Sequence, residues 1–279
     1  MSLEQTVSQH YTHGSLEQAI LAALKAAGKD TENLTHIDLA AVDEFHIGGR
    51  PATAELFAQL DLPRGARVLD IGSGIGGPAR FGAIEHGWHV QGIDLTEEYV
   101  RVAEALSGRV GVGDRVSFRQ ASAAALPFGE GGFDGAYMLH VGMNIPDKRS
   151  VFAEVLRALK PGGVLAVYDV MRENDAAFDY PVPWSSAPET NFIDTADSYR
   201  TLLGDVGFIV EKERSRRDFA REFFRQMRER MAAAQSEGTP VAPGLPIVMG
   251  PTAPQKIANM IAMLERGTIA PVEMIARRN

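Results

Sequence analysis

Cysteine is missing from all 279 residues, which removes disulfides, thiolate nucleophiles, cysteine zinc sites and cysteine-ligated iron–sulfur clusters together. Nothing in the chain then calls for an oxidising compartment. Long apolar runs are missing too: none approaches the ~20 residues that cross a bilayer. The opening MSLEQTVSQH has neither the basic nor the apolar stretch of a secretory leader, so cytoplasmic residence and no membrane partner are expected. Aromatic residues are few, at 8%, and basic residues are outnumbered, 28 Lys and Arg against 36 Asp and Glu, for a net charge of −8. A general nucleic-acid binder carries the opposite balance, so no nucleic acid and a small-molecule partner are expected. What is present, 45% hydrophobic and 23% charged residues, is ordinary globular composition, without internal repeats or low-complexity runs. The length suits one enlarged domain, and the oligomeric state is left open.

Residues 1–62 read as helical. SLEQAILAALKAAG begins with a capping-box spelling at Ser15 and Gln18, carries an apolar stripe through Ile20, Leu21 and Leu24, and stops at Gly28. A second helix is expected in ATAELFAQL. Between them, DEFHIGG sets Gly48 and Gly49 across the helical pattern and leaves Phe45 and His46 on a bend, a candidate site. Farther on, RVLDI, HVQGID, RVSFRQ, FDGAYML and GVLAVYDV read as strands, alternating with the helical spacings of PARFGAIEHG, EEYVRVAEAL and KRSVFAEVLRALK. Such alternation implies crossover units and a parallel sheet. In the third of these helices Val151, Phe152, Val155, Leu156 and Leu159 form the buried stripe, Asp147 is a cap, and Pro161-Gly162-Gly163 is the stop. Residues 171–194 read as a long loop too polar for a core element, and TADSYRTLLGDVGFIVEKE as a helix closed by Gly207 and then a strand. Two helical patterns follow around SEGTPVAPGLPIVMGPTAP, and PVEMIARR is strand-like.

VLDIGSGIGG carries G-x-G-x-x-G at Gly72, Gly74 and Gly77, with Gly76 as a fourth glycine. Glycines there permit a tight turn and close backbone approach to an electron-rich ligand. Asp94, in QGIDLT about twenty residues on, stands where an acidic residue accepts ribose hydroxyls. Both features suit NAD as well as other nucleotides, so an NAD-dependent oxidoreductase is one reading. Asp70 favours another, since a carboxylate two residues before the first glycine suits a ligand bearing an ammonium group. With ASAAALPF ahead of FDGAYMLH, and LRALKPGGVLAVYDV after it, these stretches resemble the class I S-adenosylmethionine-dependent methyltransferases across residues 66–214. DEFHIGG, MNIPDK and PVPW are similar to stretches of the sarcosine/dimethylglycine type within its small-molecule branch, which also includes the ubiquinone-biosynthesis type.

The resemblance implies an α/β, Rossmann-like, doubly wound sheet of seven strands with an antiparallel last strand. It implies a core over 63–279, an N-terminal helical lid over 1–62, and a helical insertion over about 216–268. The cofactor would be S-adenosyl-L-methionine and the partner a small-molecule methyl acceptor taking the methyl on N, O or C. Asp70 would orient the methionyl ammonium, Gly72, Ser73 and Gly74 would form the turn, and Asp94 would hold the ribose with Leu95 against the adenine. Ala121, Ser122 and Ala123 would line the adenine edge, although Ser122 stands where the family usually has an acidic residue. Met138 and Leu139 would face the methionyl end. His140 and His46 are the candidate proton acceptors, and Tyr11 and Trp184 offer aromatic faces to a cationic or alkylated substrate. No metal is required for such a transfer. A regulatory protein that binds the cofactor without turnover is the reading from another class.

Overall fold

A computed structural model describes residues 2–12, 14–237, 244 and 246–279. Four helices come first: α1 (Leu3–Tyr11), α2 (Leu16–Ala26), α3 (His36–Asp43) and α4 (Gly49–Phe57). Strand β1 (Arg67–Ile71) then leads through the glycine turn into α5 (Gly77–Phe81), followed by β2 (His89–Asp94), α6 (Glu97–Arg109), β3 (Val116–Gln120) and β4 (Phe133–Leu139). Next are α7 (Lys148–Ala158), β5 (Leu159–Arg172), α8 (Ala196–Val206) and β6 (Phe208–Ser215). Helices α9 (Arg217–Glu237), α10 (Pro246–Met249) and α11 (Ala253–Glu265) separate β6 from β7 (Ile269–Arg278).

The seven strands lie in the order β3-β2-β1-β4-β5-β7-β6, with β7 antiparallel to both its neighbours and the other pairs parallel. The fold is therefore the doubly wound α/β sheet with its reversed strand. Alternation along the strands divides the core in two. Leu69, Ile71, Phe133 and Met138 pack with Val151, Phe152 and Val155 of α7 and Tyr199 and Leu203 of α8. On the other face Val68, Val90 and Tyr137 pack with Leu56 and Phe57 of α4, Ala79 and Phe81 of α5, and Trp88. The ring of Phe57 lies 4.7 Å from that of Tyr137 and 5.0 Å from that of Trp88. Burying a ring of this size is worth about 3 kcal/mol, so α4 is fixed to the sheet. The strand order turns back between β1 and β4, and the carboxyl ends of strands beside such a reversal leave a crevice where ligands bind.

Several local expectations needed correction. Ser15 makes no side-chain cap bond. The amides of Gly14 and Leu16 instead donate to the Glu98 carboxylate of α6 at 2.8 and 3.0 Å, which satisfies the start of α2 from across the fold. True capping boxes occur at Ser2 with Gln5 and Thr35 with Asp38, opening α1 and α3, two helices whose weaker apolar pattern hid them. Helix α7 ends at Ala158, before the Pro-Gly-Gly stretch, because Leu159 turns extended and pairs with Phe133. The 171–194 segment is not wholly superficial: Val182 and Trp184 are buried in an apolar cluster with Phe224 of α9 and Met260 and Met263 of α11. Part of the Gly- and Pro-rich centre of the 216–268 stretch lies outside the described residues. Among the described residues no helix is long and apolar enough to cross a membrane.

Candidate active site

The turns after β1, β2, β3 and β4 open onto one cavity of about 1620 Å³. Single ligand sites usually run to about 300–1,000 Å³, so this one has room for two molecules side by side. Asp70, on β1, is paired in register with Gly92 of β2 and Tyr137 of β4. It is buried, its Oδ2 has no hydrogen-bond partner among the described residues, and burial pushes its carboxyl up to about 8, with the Asp94 and Glu44 carboxylates adding to the effect. Tyr137 offsets part of that rise, but a buried carboxyl oxygen without a partner stays costly unless a cation arrives.

The glycine turn is held by the Ser73 amide donating to the Ile93 carbonyl at 2.9 Å and the Gly76 amide donating to the Ser73 carbonyl at 2.9 Å. Gly72 and Gly74 have φ of 69° and 52°, a region side chains avoid. A Cβ on Gly72 would collide with Val141, while one on Gly74 would point into open space within the cavity wall. Asp94 accepts from the Gly74 amide at 2.9 Å and the Thr96 amide at 2.8 Å. Those bonds partly offset burial, which carries its carboxyl to about 6. Asp94 thus ties the glycine turn to the turn ahead of α6 and still presents lone pairs to a diol. Leu95, Ala121, Ser122 and Ala123 continue the wall. The carboxylate absent at position 122 comes from elsewhere: Ser122 Oγ donates to Glu4 Oε1 of α1 at 2.6 Å. These parts fit S-adenosylmethionine, with an acid for the ammonium, an acid for the ribose hydroxyls, a turn without side chains, and apolar residues for a flat ring.

Beyond β4 the cavity wall continues through the residues after Leu139. His140 has φ 55°, a strained value for a residue with a side chain, and its amide donates to the Tyr168 carbonyl at 2.7 Å. The loop after it is clamped by Asp169, which accepts from the Val141 amide at 2.8 Å, the Gly142 amide at 3.1 Å and the Tyr199 hydroxyl at 2.9 Å. Burial, and then His46, hold the His140 imidazole well below its ordinary range, so it stays neutral. The two imidazoles lie 5.9 Å apart, centroid to centroid. His46 Nε2 is 2.9 Å from Thr53 Oγ1 and 3.2 Å from Glu44 Oε2. Tyr11 lines the cavity, donates to Asn144 Oδ1 at 3.3 Å, and is pushed upward by burial. Trp184 lines it too, its Nε1 donating to Asn191 Oδ1 at 2.8 Å.

All the expected site residues but one therefore share this cavity. Met138 does not: alternation on β4 turns it into the core beside Leu69 and Val151, while Leu139 faces the cavity. Sequence reasoning passed over Glu4, Glu44 and Thr53. Glu44 sits within DEFHIGG, two residues from His46, and that spacing was a usable signal; Thr53 and Glu4 reach the site only through tertiary packing.

A family model described as a methyltransferase domain matches residues 69–167. Methyltransferase GfsG of Streptomyces halstedii is 34% identical over 173 residues, covering 61% of this chain and 62% of that protein. The chain thus spans less than two thirds of that relative's length. The [4+2]-cyclase SpnF has a similar structure, with a TM-score of 0.64 and 25% identity over 82% of this chain and 80% of that one. A chain assigned as a sarcosine dimethylglycine methyltransferase from Galdieria sulphuraria gives a TM-score of 0.65 at 23% identity, covering 82% and 84%. Residues 69–167 thus match a methyltransferase domain, set in a fold that the chain shares with these solved structures. The family's fold alone does not fix a reaction.

Proposed function

We propose that this protein transfers a methyl group from S-adenosyl-L-methionine to a bulky, largely apolar small molecule. The observation that carries the reading is the continuity of one cavity, from the glycine turn flanked by Asp70 and Asp94 to a chamber where two imidazoles meet apolar side chains. When bound, the cofactor supplies an electrophilic methyl group on a sulfonium. Asp70 holds its ammonium, the Gly72–Gly74 backbone lies along the methionyl part, Asp94 holds the ribose, and Leu95 with Ala121 and Ala123 enclose the adenine. Ser122, backed by Glu4, takes the adenine edge. Leu139 borders the methionyl end.

The acceptor chamber is lined by Phe219, Phe223, Met227 and Met231 of α9 and by Ile257 and Met260 of α11. Methionine side chains adapt to irregular apolar shapes, and such walls exclude water while aligning the acceptor with the methyl group. Tyr11 and Trp184 supply aromatic faces. In this reading the described residues of 1–62 and 216–268 cap the core, although α4 is fixed to the sheet as part of the core itself.

Calorimetry tests it. S-adenosylhomocysteine should bind, with NAD and NADP much weaker, and isotope from the labelled methyl group should appear on apolar acceptors. Preferential binding of NAD would overturn the reading in favour of an oxidoreductase, and cofactor binding without labelling of any acceptor would favour a regulatory protein.

A further inference from the structure

The Glu44–Thr53–His46 cluster has a proton arrangement that its geometry determines. Thr53 Oγ1 donates its only hydrogen to Glu44 Oε2 at 2.7 Å. With that hydrogen spent, the same oxygen can only accept from His46 Nε2, 2.9 Å away. An unprotonated Nε2 would also set a lone pair against Glu44 Oε2 at 3.2 Å. A hydrogen of His46 therefore sits on Nε2, and the neutral ring then carries its lone pair on Nδ1. That Nδ1 is buried and has no hydrogen-bond partner among the described residues, while His46 lines the cavity. Glu44 is itself buried, with the Arg50 guanidinium 3.7 Å from its Oε1. On the other side Tyr168 donates to the Ile47 carbonyl at 3.0 Å, and its ring lies 6.0 Å from that of His46, so the bend holding the imidazole is pinned to β5. His140 has no comparable carboxylate partner among the hydrogen bonds and ion pairs of the described residues; its Nε2 is unpartnered.

We propose that His46 Nδ1 takes the proton of a hydroxyl acceptor, and that Glu44 and Thr53 are positioning residues that fix its tautomer and face the charge it acquires; the base role rests on the methyl-transfer reading above. The acceptor's O–H bond breaks with its electron pair left on oxygen, an O–CH3 bond forms as the S–CH3 bond breaks with its pair left on sulfur, and the proton goes to Nδ1. One positive charge leaves the sulfonium and one appears on the imidazolium, so the site's net charge is conserved. Glu44 stands beside the group that gains it. His140, held neutral next to His46, borders the acceptor without competing for the proton.

Two measurements test this. Nitrogen-15 NMR of the full chain, labelled at histidine and free of ligand, should show His46 protonated at Nε2 with Nδ1 bare, the signal being assigned by its loss in His46→Asn. Thr53→Ser and Thr53→Val should both keep that tautomer while Glu44 Oε2 still faces Nε2, and Glu44→Leu combined with Thr53→Val should lose it. A hydrogen on Nδ1, or an even mixture of tautomers in the wild type, would overturn the positioning roles. Methyl transfer should then be followed to para-octylphenol and to its ortho-nitro derivative, which is already ionised under mildly alkaline conditions. His46→Asn should slow transfer to the first by ~10²–10⁴-fold, the range of a lost general base, and to the second by less than about tenfold. Equal losses on both phenols would overturn the base role, since a purely structural defect does not depend on the acidity of the acceptor. A wild-type chain that binds S-adenosylhomocysteine yet methylates neither phenol would overturn the hydroxyl-acceptor assignment, whereas failure to bind S-adenosylhomocysteine would overturn the methyl-transfer reading itself.

Discussion

Acidifying the solution should loosen the cofactor's grip before it loosens the fold, through Asp70. In the free protein burial holds this carboxyl at about 8, so near neutrality it is mostly protonated. An ammonium placed against it favours the ionised form, and binding must then release a proton. The sign follows: affinity is full above the free-protein value and falls as pH drops through it. Between about pH 7.5 and about pH 5.5 the ionised fraction of a group titrating at about 8 falls roughly 75-fold, equivalent to about 2.5 kcal/mol of binding free energy. Asp94, at about 6, steepens the lower end of the curve. S-adenosylhomocysteine is the suitable probe because it keeps the ammonium without the reactive sulfonium. Titration calorimetry in two buffers of different ionisation enthalpy should count close to one proton released near about pH 6.5. Asp70→Asn should flatten the upper part of the pH curve and weaken binding at about pH 7.5 by about 1.5–3 kcal/mol, the worth of a hydrogen bond between charged groups. A wild-type affinity independent of pH over this range, with no proton released, would remove Asp70 from the ammonium site.

Asp94→Ala should weaken S-adenosylhomocysteine binding by about 1.5–3 kcal/mol in calorimetry if its carboxylate holds the ribose; an unchanged affinity would leave it only the role of bracing the Gly74 and Thr96 amides. Tyr199→Phe removes the hydroxyl that donates to the buried Asp169 and should cost about 1–3 kcal/mol in denaturant unfolding. Because Asp169 also binds the Val141 and Gly142 amides, the same variant should lower kcat, and unaltered turnover would show that the loop tolerates its loss.

The sheet was legible because its information is local. Short apolar runs separated by helical spacing define crossover units, and the glycine turn with Asp70 and Asp94 belongs to one such unit, where chain distance and spatial distance nearly coincide. The reversed last strand followed from family resemblance rather than from PVEMIARR itself, since direction is not written in an apolar run. What escaped is long-range. Glu98 caps a helix 82 residues away from it, and Glu4 reaches Ser122 across 118. Thr53 joins His46 to Glu44 only because α4 turns back over the bend. Met138 was misplaced for a different reason: parity on β4 decides which of two adjacent residues faces the cavity, and the apolar run FDGAYML carries no polar residue at its end to reveal the parity.

The clamp around Asp169 also determines how a mutational scan of this protein would look. Tyr199 is on α8, fully buried on the far side of the sheet, yet only the Asp169 carboxylate separates its hydroxyl from the amides that follow His140. Gly142 is so close to both partners that a Cβ there would strike the Tyr199 hydroxyl and the Asp169 Oδ2, just as one at Gly72 would strike Val141 from the opposite side. The glycine turn, the loop after β4 and one tyrosine of a remote helix are therefore joined by one continuous set of close contacts. If Tyr199→Phe lowers turnover, selection for turnover would reach α8 as it reaches the cavity wall, and a scan ranked by distance from the cavity would misread Tyr199 as a residue of stability alone.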